Sequence, residues 1–411
     1  MRIFMSADTV GGVWTYAVEL AGELGRGGDT VMIAAMGGRL SEAQRAEAAG
    51  VDGLIVRDSD YRLEWMDEPW DDIERAGHWL QALAEEFQPD IVHLNHYAHG
   101  GLDWPAPVLM VTHSCVYSWY HAVHSRLPEA RWQRYRQRVR EGLQAADMVV
   151  APTLAMLAEA ERFYGPFRRA RVIHNGRAPG RFAAARKQPL VLCAGRLWDE
   201  AKNVQVLLRV APRLSWDVAV AGEARHPDGG EAELNGVQSL GRLTAEQMRA
   251  AYARAGIYCL PARYEPFGLS VLEAALSGCA LVLGEIPSLQ ELWDGAALFV
   301  PPDSPDALAE ALTRLAEDPE LRSVYAQRAQ DRARRYSSAR MAEEYRSLNR
   351  QLLAEAEVGQ RAAVGAAPSA PRAMNVTVAS RFSALRPSSP RKREAGALAR
   401  PTDSRVHRDD G

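Results

Sequence analysis

The sequence predicts an α/β protein built from two doubly wound parallel-sheet domains that face a deep cleft. The first observation is that short apolar runs alternate with longer segments whose apolar residues recur at helical spacing. The second is that these runs are apolar at consecutive positions, as expected of parallel strands covered by helices on both faces. The third is a single break in the alternation at residues 175–188, where Gly, Pro, Arg and Lys predominate. We therefore predict two such domains, joined near this break.

The first domain, assigned to residues 1–175, contains seven predicted strands, and the second, assigned to residues 176–335, contains six. Apolar runs place the first seven at residues 2–6, 31–35, 53–56, 91–94, 108–112, 148–151 and 171–173. They place the other six at residues 190–194, 217–221, 237–240, 257–260, 280–283 and 297–300. Amphipathic spacing predicts helices at residues 13–25, 71–86, 132–145, 201–213 and 245–255.

The C-terminal part of the chain changes character twice. Residues 304–357 have a helical pattern throughout, and residues 336–357 are assigned to a C-terminal helix. Residues 358–411 hold ten Lys and Arg against four Asp and Glu, so their net charge is +6. With one Phe and no Trp or Tyr, this segment has too little apolar material to offset the entropy of ordering. We predict a disordered basic tail.

The composition argues against several classes of protein. The net charge is −3 over 411 residues and −9 over residues 1–357, which argues against a nucleic-acid partner. No run of about 18 uncharged apolar residues is present, which argues against a membrane-spanning helix. The N-terminus does not resemble a secretory signal, and the four cysteines lie in apolar contexts without ligand spacing. We therefore expect a cytoplasmic protein with reduced thiols.

Residues that directly follow strands are the candidates for a binding site, because ligands bind beyond the carboxyl ends of parallel strands. Gly11 and Gly12 precede a helix and let a ligand approach backbone N–H groups, although a plain tight turn explains them equally well. In the second domain, Arg196 and Lys202 follow a strand. A guanidinium and an ammonium from one loop suit a diphosphate. It is equally plausible that Arg196 and Lys202 only form salt bridges at the protein surface.

The segment at residues 263–274 carries the strongest signal. Gly268 opens a helix, and the first N–H groups of that helix would point towards a bound phosphate. Glu265 precedes the helix and Glu273 lies inside it. Because their backbone settings differ, we expect them to bind different parts of an elongated ligand rather than to form a glycosidase pair.

At these residues the sequence resembles the retaining glycosyltransferases of family four (group 1), which have the GT-B fold of two Rossmann-like domains. Glu265 and Glu273 match the family's two glutamates separated by seven residues. The resemblance covers about residues 2–356 and includes these further segments: Gly11-Gly12, residues 172–176, Gly195-Arg196 with Lys202, residues 277–282 and residues 300–303. It implies sugar transfer from a nucleoside-diphosphate sugar to a sugar, lipid or small-molecule acceptor in glycan or exopolysaccharide biosynthesis, without a metal or other cofactor.

The resemblance also implies a role for each site residue. Arg196 and Lys202 hold the donor diphosphate. Glu273 holds the ribose, and Glu265 contacts the transferred sugar. The resemblance further implies that the donor is contacted by the backbone of two loops, at Gly11, Gly12, Phe267, Gly268, Leu269 and Ser270. It also implies that one first-domain histidine, His113, lies near the sugar. In the family the terminal helix returns to the first domain, and we expect the same of residues 336–357.

Three positions depart from the family pattern, and two functions of other classes stay open. Arg196 and Lys202 are one residue further apart than in the commonest form of the motif. The inter-domain turn reads Asn175-Gly176-Arg177-Ala178 instead of Asn-Gly-Val-Asp, and His113 is followed by Ser where Asp is frequent. The alternatives are a nucleotide-sugar epimerase of the same fold and a non-catalytic nucleotide-sugar-binding protein.

Four further patterns have simpler explanations than a functional one. Asp58 and Asp60 resemble a metal-binding Asp-x-Asp, but such acidic pairs are common in loops. Three histidines recur at every third residue: His93, His96 and His99. They lack Cys or carboxylate partners at the spacing of a zinc site, so we interpret them as polar lining of the cleft. The arginines of residues 126–140 predict a solvated helix face. An open alternative is that they dock the protein peripherally on the inner face of an anionic membrane that holds a lipid-linked acceptor. Four aromatic residues could face an acceptor sugar: Trp14, Tyr117, Trp119 and Tyr120. Packing in the core explains them equally well.

Overall fold

The first domain of the computed structural model contains a seven-stranded sheet. The structure describes residues 1–225 and 234–365. The strands are β1 (Arg2–Asp8), β2 (Thr30–Met36), β3 (Leu54–Asp58), β4 (Ile91–Leu94), β5 (Val108–Val111), β6 (Met148–Ala151) and β7 (Ala170–Val172). Their order across the sheet is β3-β2-β1-β4-β5-β6-β7, and every pairing is parallel.

The second domain contains a six-stranded parallel sheet in the order β10-β9-β8-β11-β12-β13. Its strands are β8 (Gln188–Ala194), β9 (Asp217–Ala221), β10 (Gln238–Ser239), β11 (Ala255–Leu260), β12 (Ala280–Gly284) and β13 (Leu298–Val300). Each predicted strand has a counterpart in one of the two sheets. The predicted fold class, two doubly wound Rossmann-like domains, is therefore confirmed.

Thirteen α-helices lie among the described residues, and most cover the faces of the sheets. They are α1 (Gly12–Arg26), α2 (Glu42–Ala49), α3 (Trp70–Phe87), α4 (Val116–His124), α5 (Gln133–Ala145), α6 (Leu154–Tyr164), α7 (Val204–Val210), α8 (Ala245–Arg254), α9 (Leu269–Leu276), α10 (Pro287–Trp293), α11 (Pro305–Glu317), α12 (Pro319–Ala333) and α13 (Ser338–Gly365). Local signals set many of their ends. Ser41 and Thr244 each form a capping box with a glutamine three residues later.

The helix predicted at residues 201–213 is wrong in its extent. The structure has a 3₁₀ turn at Glu200–Lys202, the short helix α7, and a second 3₁₀ turn at Ala211–Arg213. Asn203 interrupts the helix because its φ is 55°, and its side-chain amide donates to the carbonyls of Pro261 (2.9 Å) and Pro302 (2.7 Å). These two long-range hydrogen bonds hold a left-handed residue where amphipathic spacing alone predicts continuous helix.

The strand order places one crevice at the carboxyl edge of each sheet. In the first sheet the order reverses between β1 and β4, and in the second between β8 and β11. Helices that follow such neighbouring strands lie on opposite faces, which leaves room for a ligand between the loops. The loops after β1, β4, β8 and β11 hold Gly11, Asn95, Arg196 and Glu265, respectively. The fold therefore puts candidate residues of both domains at crevice edges.

The C-terminal helix α13 packs on the first domain. Met341, Tyr345, Leu348 and Leu352 are buried in one cluster with residues of β1, β2 and α1. Helix α13 ends at Gly365, beyond the boundary predicted at residue 357, and the predicted disordered tail from residue 366 on lies outside the described residues. Over residues 1–225 and 234–365, no helix combines the length and the apolar character needed to cross a bilayer.

We expect Leu348→Ala to lower the free energy of unfolding by about 2–5 kcal/mol, because it removes a fully buried side chain from the α13 contact. Val358 lies on the same helix with 66% of its surface exposed, so Val358→Ala should change stability by less than about 0.5 kcal/mol. Urea unfolding of both variants measures the difference. Equal stability of the two would contradict a structural role of α13.

Candidate active site

The glycine loop of the first domain lies against the phosphate-binding candidates of the second. Gly11 has a φ of 95°, and a Cβ at this position would lie 2.8 Å from an Arg196 guanidinium nitrogen. A Cβ at Gly12 would lie 3.7 Å from the side chain of Leu269. The N-termini of α1 and α9 therefore face each other closely. A substituted side chain at Gly11 would be strained by its φ and would displace Arg196.

Lys202 and Glu265 form an ion pair at the edge of the second sheet. Lys202 Nζ donates to Glu265 Oε2 at 2.7 Å, and the two side chains are 14% and 13% exposed. The Lys202 turn is tied to the Glu265 loop because the backbone N–H of Arg263 donates to the carbonyl of Ala201 at 2.8 Å. The structure thus brings together two residues that lie 63 positions apart in the sequence.

Arg196 reaches the same region, and a buried aspartate orients it. Arg196 donates to Asp199 Oδ2 at 2.8 Å, and Asp199 Oδ1 accepts from the indole N–H of Trp119 at 3.0 Å. Burial raises the pKa of Asp199, but the charges of Lys202 and Arg196 outweigh it and hold the pKa below its usual value. An ionised Asp199 therefore connects the cationic loop of the second domain to a first-domain tryptophan.

The N-terminus of α9 is built from backbone. Gly268 has a φ of 86°, and its helix has no side-chain cap. Ser270 Oγ accepts from the hydroxyl of Tyr258 at 2.8 Å. Phe267 is 3% exposed, and its ring packs against Tyr336, so its side chain belongs to the core. Uncapped N–H groups at a helix start favour an anion.

Glu273 lies in a buried ion network. Its Oε1 is 2.9 Å from Arg177 Nε, and an Arg177 terminal nitrogen donates to Glu19 Oε2 at 2.6 Å. Glu19 belongs to α1, and its other oxygen accepts from the backbone N–H of Ala178 at 2.9 Å. Burial raises the pKa of Glu273, and Arg177 acts against this shift. One arginine of the inter-domain turn thus connects α1 with α9.

His113 is a neutral residue of the first-domain crevice. Its Nε2 lies 2.7 Å from Asn95 Oδ1, and its ring contacts Tyr16 edge-on at 4.6 Å between centroids. Burial lowers the pKa of His113 to about 3, so its imidazole carries no charge at neutral pH. Asn95 in turn donates to the carbonyl of Ser6 at 2.6 Å, which fixes the pair at the β1–β4 junction.

The predicted histidine triplet separates into different environments. His93 is buried and contacts the hydroxyl of Tyr16 at 3.1 Å, and His99 contacts the carbonyl of Ile73 at 3.1 Å. Both are core histidines, and the interpretation as polar cleft lining is wrong for them. His96 differs because its Nδ1 contacts Ser6 Oγ at 3.2 Å while its buried Nε2 has no hydrogen-bond partner.

The aromatic candidates for an acceptor sugar are engaged elsewhere. Trp14 and Tyr117 are 3% and 4% exposed and belong to the cores. Trp119 donates to Asp199, and the Tyr120 hydroxyl donates to Glu129 at 3.3 Å. Core packing, the alternative that the sequence left open, accounts for Trp14 and Tyr117, whereas Trp119 and Tyr120 make the polar contacts described.

The other patterns are explained by local contacts. Asp58 accepts from the backbone N–H of Leu40 (3.1 Å) and from Arg45 (2.9 Å), which gives it a structural role, whereas Asp60 is exposed. Most arginines of residues 126–140 are exposed, as expected of a solvated face. Among residues 1–225 and 234–365, no group of three or more His, Cys, Asp or Glu side chains is arranged to hold a metal ion.

Sequence reasoning missed several contacts between the domains. Thr153 Oγ1 donates to the carbonyl of Pro266 at 3.1 Å, and the hydroxyls of Tyr264 and Ser118 lie 2.7 Å apart. The carboxylate of Glu291 accepts from the first two N–H groups of α6 at 2.8 and 2.9 Å. No local sequence pattern predicts these contacts, because in each of them one partner lies in the first domain and the other in the second. They hold the candidate loops of the two domains against each other.

Comparison with known proteins identifies both halves of the chain. Residues 10–181 match the Glycosyltransferase Family 4 domain, and residues 188–318 match the Glycosyl transferases group 1 domain. A phosphatidyl-myo-inositol mannosyltransferase of Mycolicibacterium smegmatis is 32% identical over 157 residues, which are 36% of this chain and 41% of that protein. A glycogen synthase of Mycobacterium tuberculosis is 27% identical over 282 residues, 63% of this chain and 68% of that protein. The match thus spans less than half of the mannosyltransferase.

Solved structures share the fold. Sucrose-phosphate synthase from Thermosynechococcus elongatus superposes with a TM-score of 0.70 at 18% identity, covering 86% of this chain and 100% of that chain. Anabaena HepE in complex with UDP and glucose superposes with a TM-score of 0.66 at 14% identity, covering 86% and 100% of the two chains. At these identities the likeness concerns the GT-B architecture alone.

Proposed function

Since the chain belongs to the family four, group 1 glycosyltransferases, we propose that it transfers a sugar from a nucleoside-diphosphate sugar to an acceptor hydroxyl. The observation that carries this proposal is the convergence of Arg196, Lys202, Glu265 and the uncapped start of α9 opposite the Gly11 loop. This set combines two cations, a helix N-terminus and a carboxylate within one cleft. It suits a diphosphate that carries a sugar.

In the proposed donor complex, Arg196, Lys202 and the first N–H groups of α9 hold the diphosphate. Phosphate oxygens then replace Glu265 as the partner of Lys202, and the Glu265 carboxylate becomes free to contact the sugar. Breaking the bond between sugar and phosphate leaves negative charge on the diphosphate. Preorganised cations and dipoles in a partly dry cleft stabilise that charge without rearranging as it forms.

Glu273 is proposed to bind the ribose hydroxyls, and Arg177 orients its carboxylate for this contact. The neutral His113 and Asn95 are proposed to face the transferred sugar from the first domain. Tight apposition of the two domains excludes water, which would otherwise take the sugar. We adopt retention of anomeric configuration from the family.

The acceptor is proposed to be a carbohydrate or a lipid-linked sugar, bound in the first-domain crevice. We propose a cytoplasmic site of action, within glycan biosynthesis. A peripheral contact of the arginine-rich face of α5 with an anionic membrane would bring a lipid-linked acceptor within reach.

A thermal-shift panel of UDP, GDP, ADP and their common sugars tests the proposed function. A ligand that binds only the folded protein raises the melting temperature, by an amount that grows with concentration. We expect one base and one sugar to stand out, and the Arg196→Ala/Lys202→Ala variant to lose the response. If no nucleotide or nucleotide sugar shifts the melting temperature of the unmodified chain, the proposed function is wrong.

Turnover is expected to continue in excess EDTA. Arg196, Lys202 and the start of α9 supply the positive charge that Mg²⁺ or Mn²⁺ supplies in metal-dependent transferases. Release of the nucleoside diphosphate, followed before and after chelation, measures the effect. Complete loss of activity in EDTA and its recovery with Mn²⁺ would contradict the expectation.

A further inference from the structure

Helix α4 of the first domain contacts two loops of the second domain through consecutive residues. The indole N–H of Trp119 donates to Asp199 Oδ1 at 3.0 Å, and Ser118 Oγ lies 2.7 Å from the hydroxyl of Tyr264. Asp199 lies in the loop after β8, and Tyr264 lies in the loop after β11. These two loops carry proposed donor-binding side chains. One first-domain helix therefore reaches both of them.

The Asp199 carboxylate accepts hydrogen bonds from three donors, and its side chain is 3% exposed. Arg196 donates to Oδ2 at 2.8 Å, and the backbone N–H of Ala201 donates to Oδ1 at 3.0 Å. Both of these donors belong to the same loop as Asp199, and the bond from Ala201 caps the 3₁₀ turn there. The third donor, Trp119, comes from the first domain. The loop can thus form its own turn without Trp119, which fixes the position of that turn relative to the first domain.

Arg196 is the side chain whose position depends on this contact. It is 39% exposed, and a long side chain with that exposure samples many rotamers unless a partner restricts it. Asp199 holds one terminal nitrogen of the guanidinium, and a Cβ at Gly11 would lie 2.8 Å from the other. The guanidinium therefore lies between Asp199 and the Gly11 loop. A shift of Asp199 would move it relative to the first domain.

Tyr264 connects α4 with the second loop. Its ring packs against first-domain residues of β6 and α6, and its hydroxyl lies 2.7 Å from the fully buried Ser118 Oγ. Ser118 Oγ also donates to the carbonyl of Cys115 at 3.0 Å, which fixes it at the start of α4. Because Tyr264 directly precedes Glu265, holding its ring also holds the backbone from which Glu265 projects.

We propose that Trp119 and Tyr264 are positioning residues of the transfer reaction, through which α4 aligns the Arg196 loop and the Glu265 loop with the first domain. This inference rests on the proposed function and adds two residues that act through Arg196 and Glu265. A misplacement of about 1 Å in an active site can cost 10²-fold in rate. The two contacts should therefore contribute more to turnover than to nucleotide affinity, since the proposed diphosphate-binding side chains stay in the second domain.

The first test is Trp119→Phe in the full chain, which removes the indole N–H and keeps an aromatic ring. Release of the nucleoside diphosphate is followed with the nucleotide sugar that stabilises the chain most in the panel above, with water or methyl α-glucoside as the acceptor. We expect kcat to fall by about 10–10². The affinity for the nucleoside diphosphate should stay within about threefold, and the melting temperature within about 4 °C.

Hydrogen exchange tests the position of the loop without turnover. The backbone N–H groups of Asp199 and Lys202 donate within the loop, to the carbonyls of Arg196 (3.1 Å) and Asp199 (2.9 Å). In Trp119→Phe these two amides should exchange about 2–10-fold faster than in the wild type, because the loop has lost a contact that limits its opening. Unchanged exchange would show that Trp119 does not hold the loop.

A double-mutant cycle tests whether Trp119 acts through Asp199. In an Asp199→Ala background, Trp119→Phe should change kcat by less than about twofold, because its partner is already absent. If the loss in the double variant equals the product of the two single losses, Trp119 acts through another residue and the inference is wrong.

The second loop is tested by Tyr264→Phe, which keeps the packed ring and removes the contact with Ser118. We expect kcat to fall about 10-fold with little change in nucleotide affinity. Two matched controls should keep kcat within about twofold. Trp132→Phe removes an indole N–H that has no hydrogen-bond partner, and Tyr120→Phe removes a hydroxyl that contacts Glu129 in the first domain.

Each outcome decides for or against the positioning role. Wild-type kcat in Trp119→Phe, or a fall in nucleotide affinity as large as the fall in kcat, would overturn it. If Trp119→Phe does not fold, Trp119 is structural, and Tyr264→Phe alone decides whether α4 positions the Glu265 loop. A wild-type chain that binds no nucleotide and consumes no donor contradicts the proposed function instead, and hydrogen exchange then still shows whether Trp119 holds the loop.

Discussion

Replacement of Glu265 by Gln is expected to lower kcat by about 10²–10³, the scale for losing one preorganised electrostatic contact. The proposed role of this carboxylate begins when positive character develops on the sugar, so its loss affects the transition state more than the bound donor. In the structure Glu265 also forms an ion pair with Lys202 at 2.7 Å. Its removal frees the ammonium for the diphosphate, and affinity for the nucleoside diphosphate should be unchanged or slightly higher.

A kinetic comparison with Glu200→Gln provides the matched control. Glu200 belongs to the Lys202 turn, but its side chain is 64% exposed and lies at the edge of the site. Steady-state kinetics and titration calorimetry of both variants separate kcat from nucleotide affinity. A Glu265→Gln enzyme with normal kcat and weakened nucleotide binding would show that Glu265 serves the diphosphate and not the sugar.

Replacement of Arg177 by Met is expected to lower the free energy of unfolding by about 3–5 kcal/mol, because it leaves buried carboxylates without their cation. The Arg177 side chain is 8% exposed, and the side chains of Glu19 and Glu273 are 2% and 15% exposed. Urea unfolding measures the loss. Adding Glu19→Gln to Arg177→Met should restore part of the stability, since one of the uncompensated charges is then absent.

The loss caused by Arg177→Met should depend on pH in a defined direction. Burial already raises the pKa of Glu273 above 4.5, and Arg177 opposes that rise. Without Arg177 the pKa of Glu273 in the folded state rises further above that of the unfolded chain, so the stability of the variant falls as pH increases above 4.5. A loss that is independent of pH would contradict the ion network as its cause.

The same network predicts how nucleotide binding responds. Glu273→Gln should mainly weaken the affinity for the nucleoside diphosphate, with a smaller effect on kcat, because ribose contacts exist in both ground and transition states.

Arg177→Lys keeps the charge but loses the planar fork that reaches both Glu19 and Glu273. It should retain more stability than Arg177→Met.

Much of the architecture could be predicted from the sequence because its signals are local. The strands are apolar at consecutive positions, so each run is visible without knowledge of its neighbours. The Glu265–Glu273 spacing and the glycine before α9 are likewise contiguous, and with the matches to both domains they identify the family. The predicted helix at residues 201–213 failed because Asn203 is held by two carbonyls distant in the sequence.

The sequence by itself determined two parallel-sheet domains, the loops that carry the candidate residues, and the chemical type of each side chain. Only the tertiary structure decided which of these groups meet. It paired Lys202 with Glu265, connected Glu273 through Arg177 to α1, and placed Trp14 in a core. The physical reason is that burial and ion pairing depend on which residues distant in the sequence come within about 4 Å, and no local pattern contains that information.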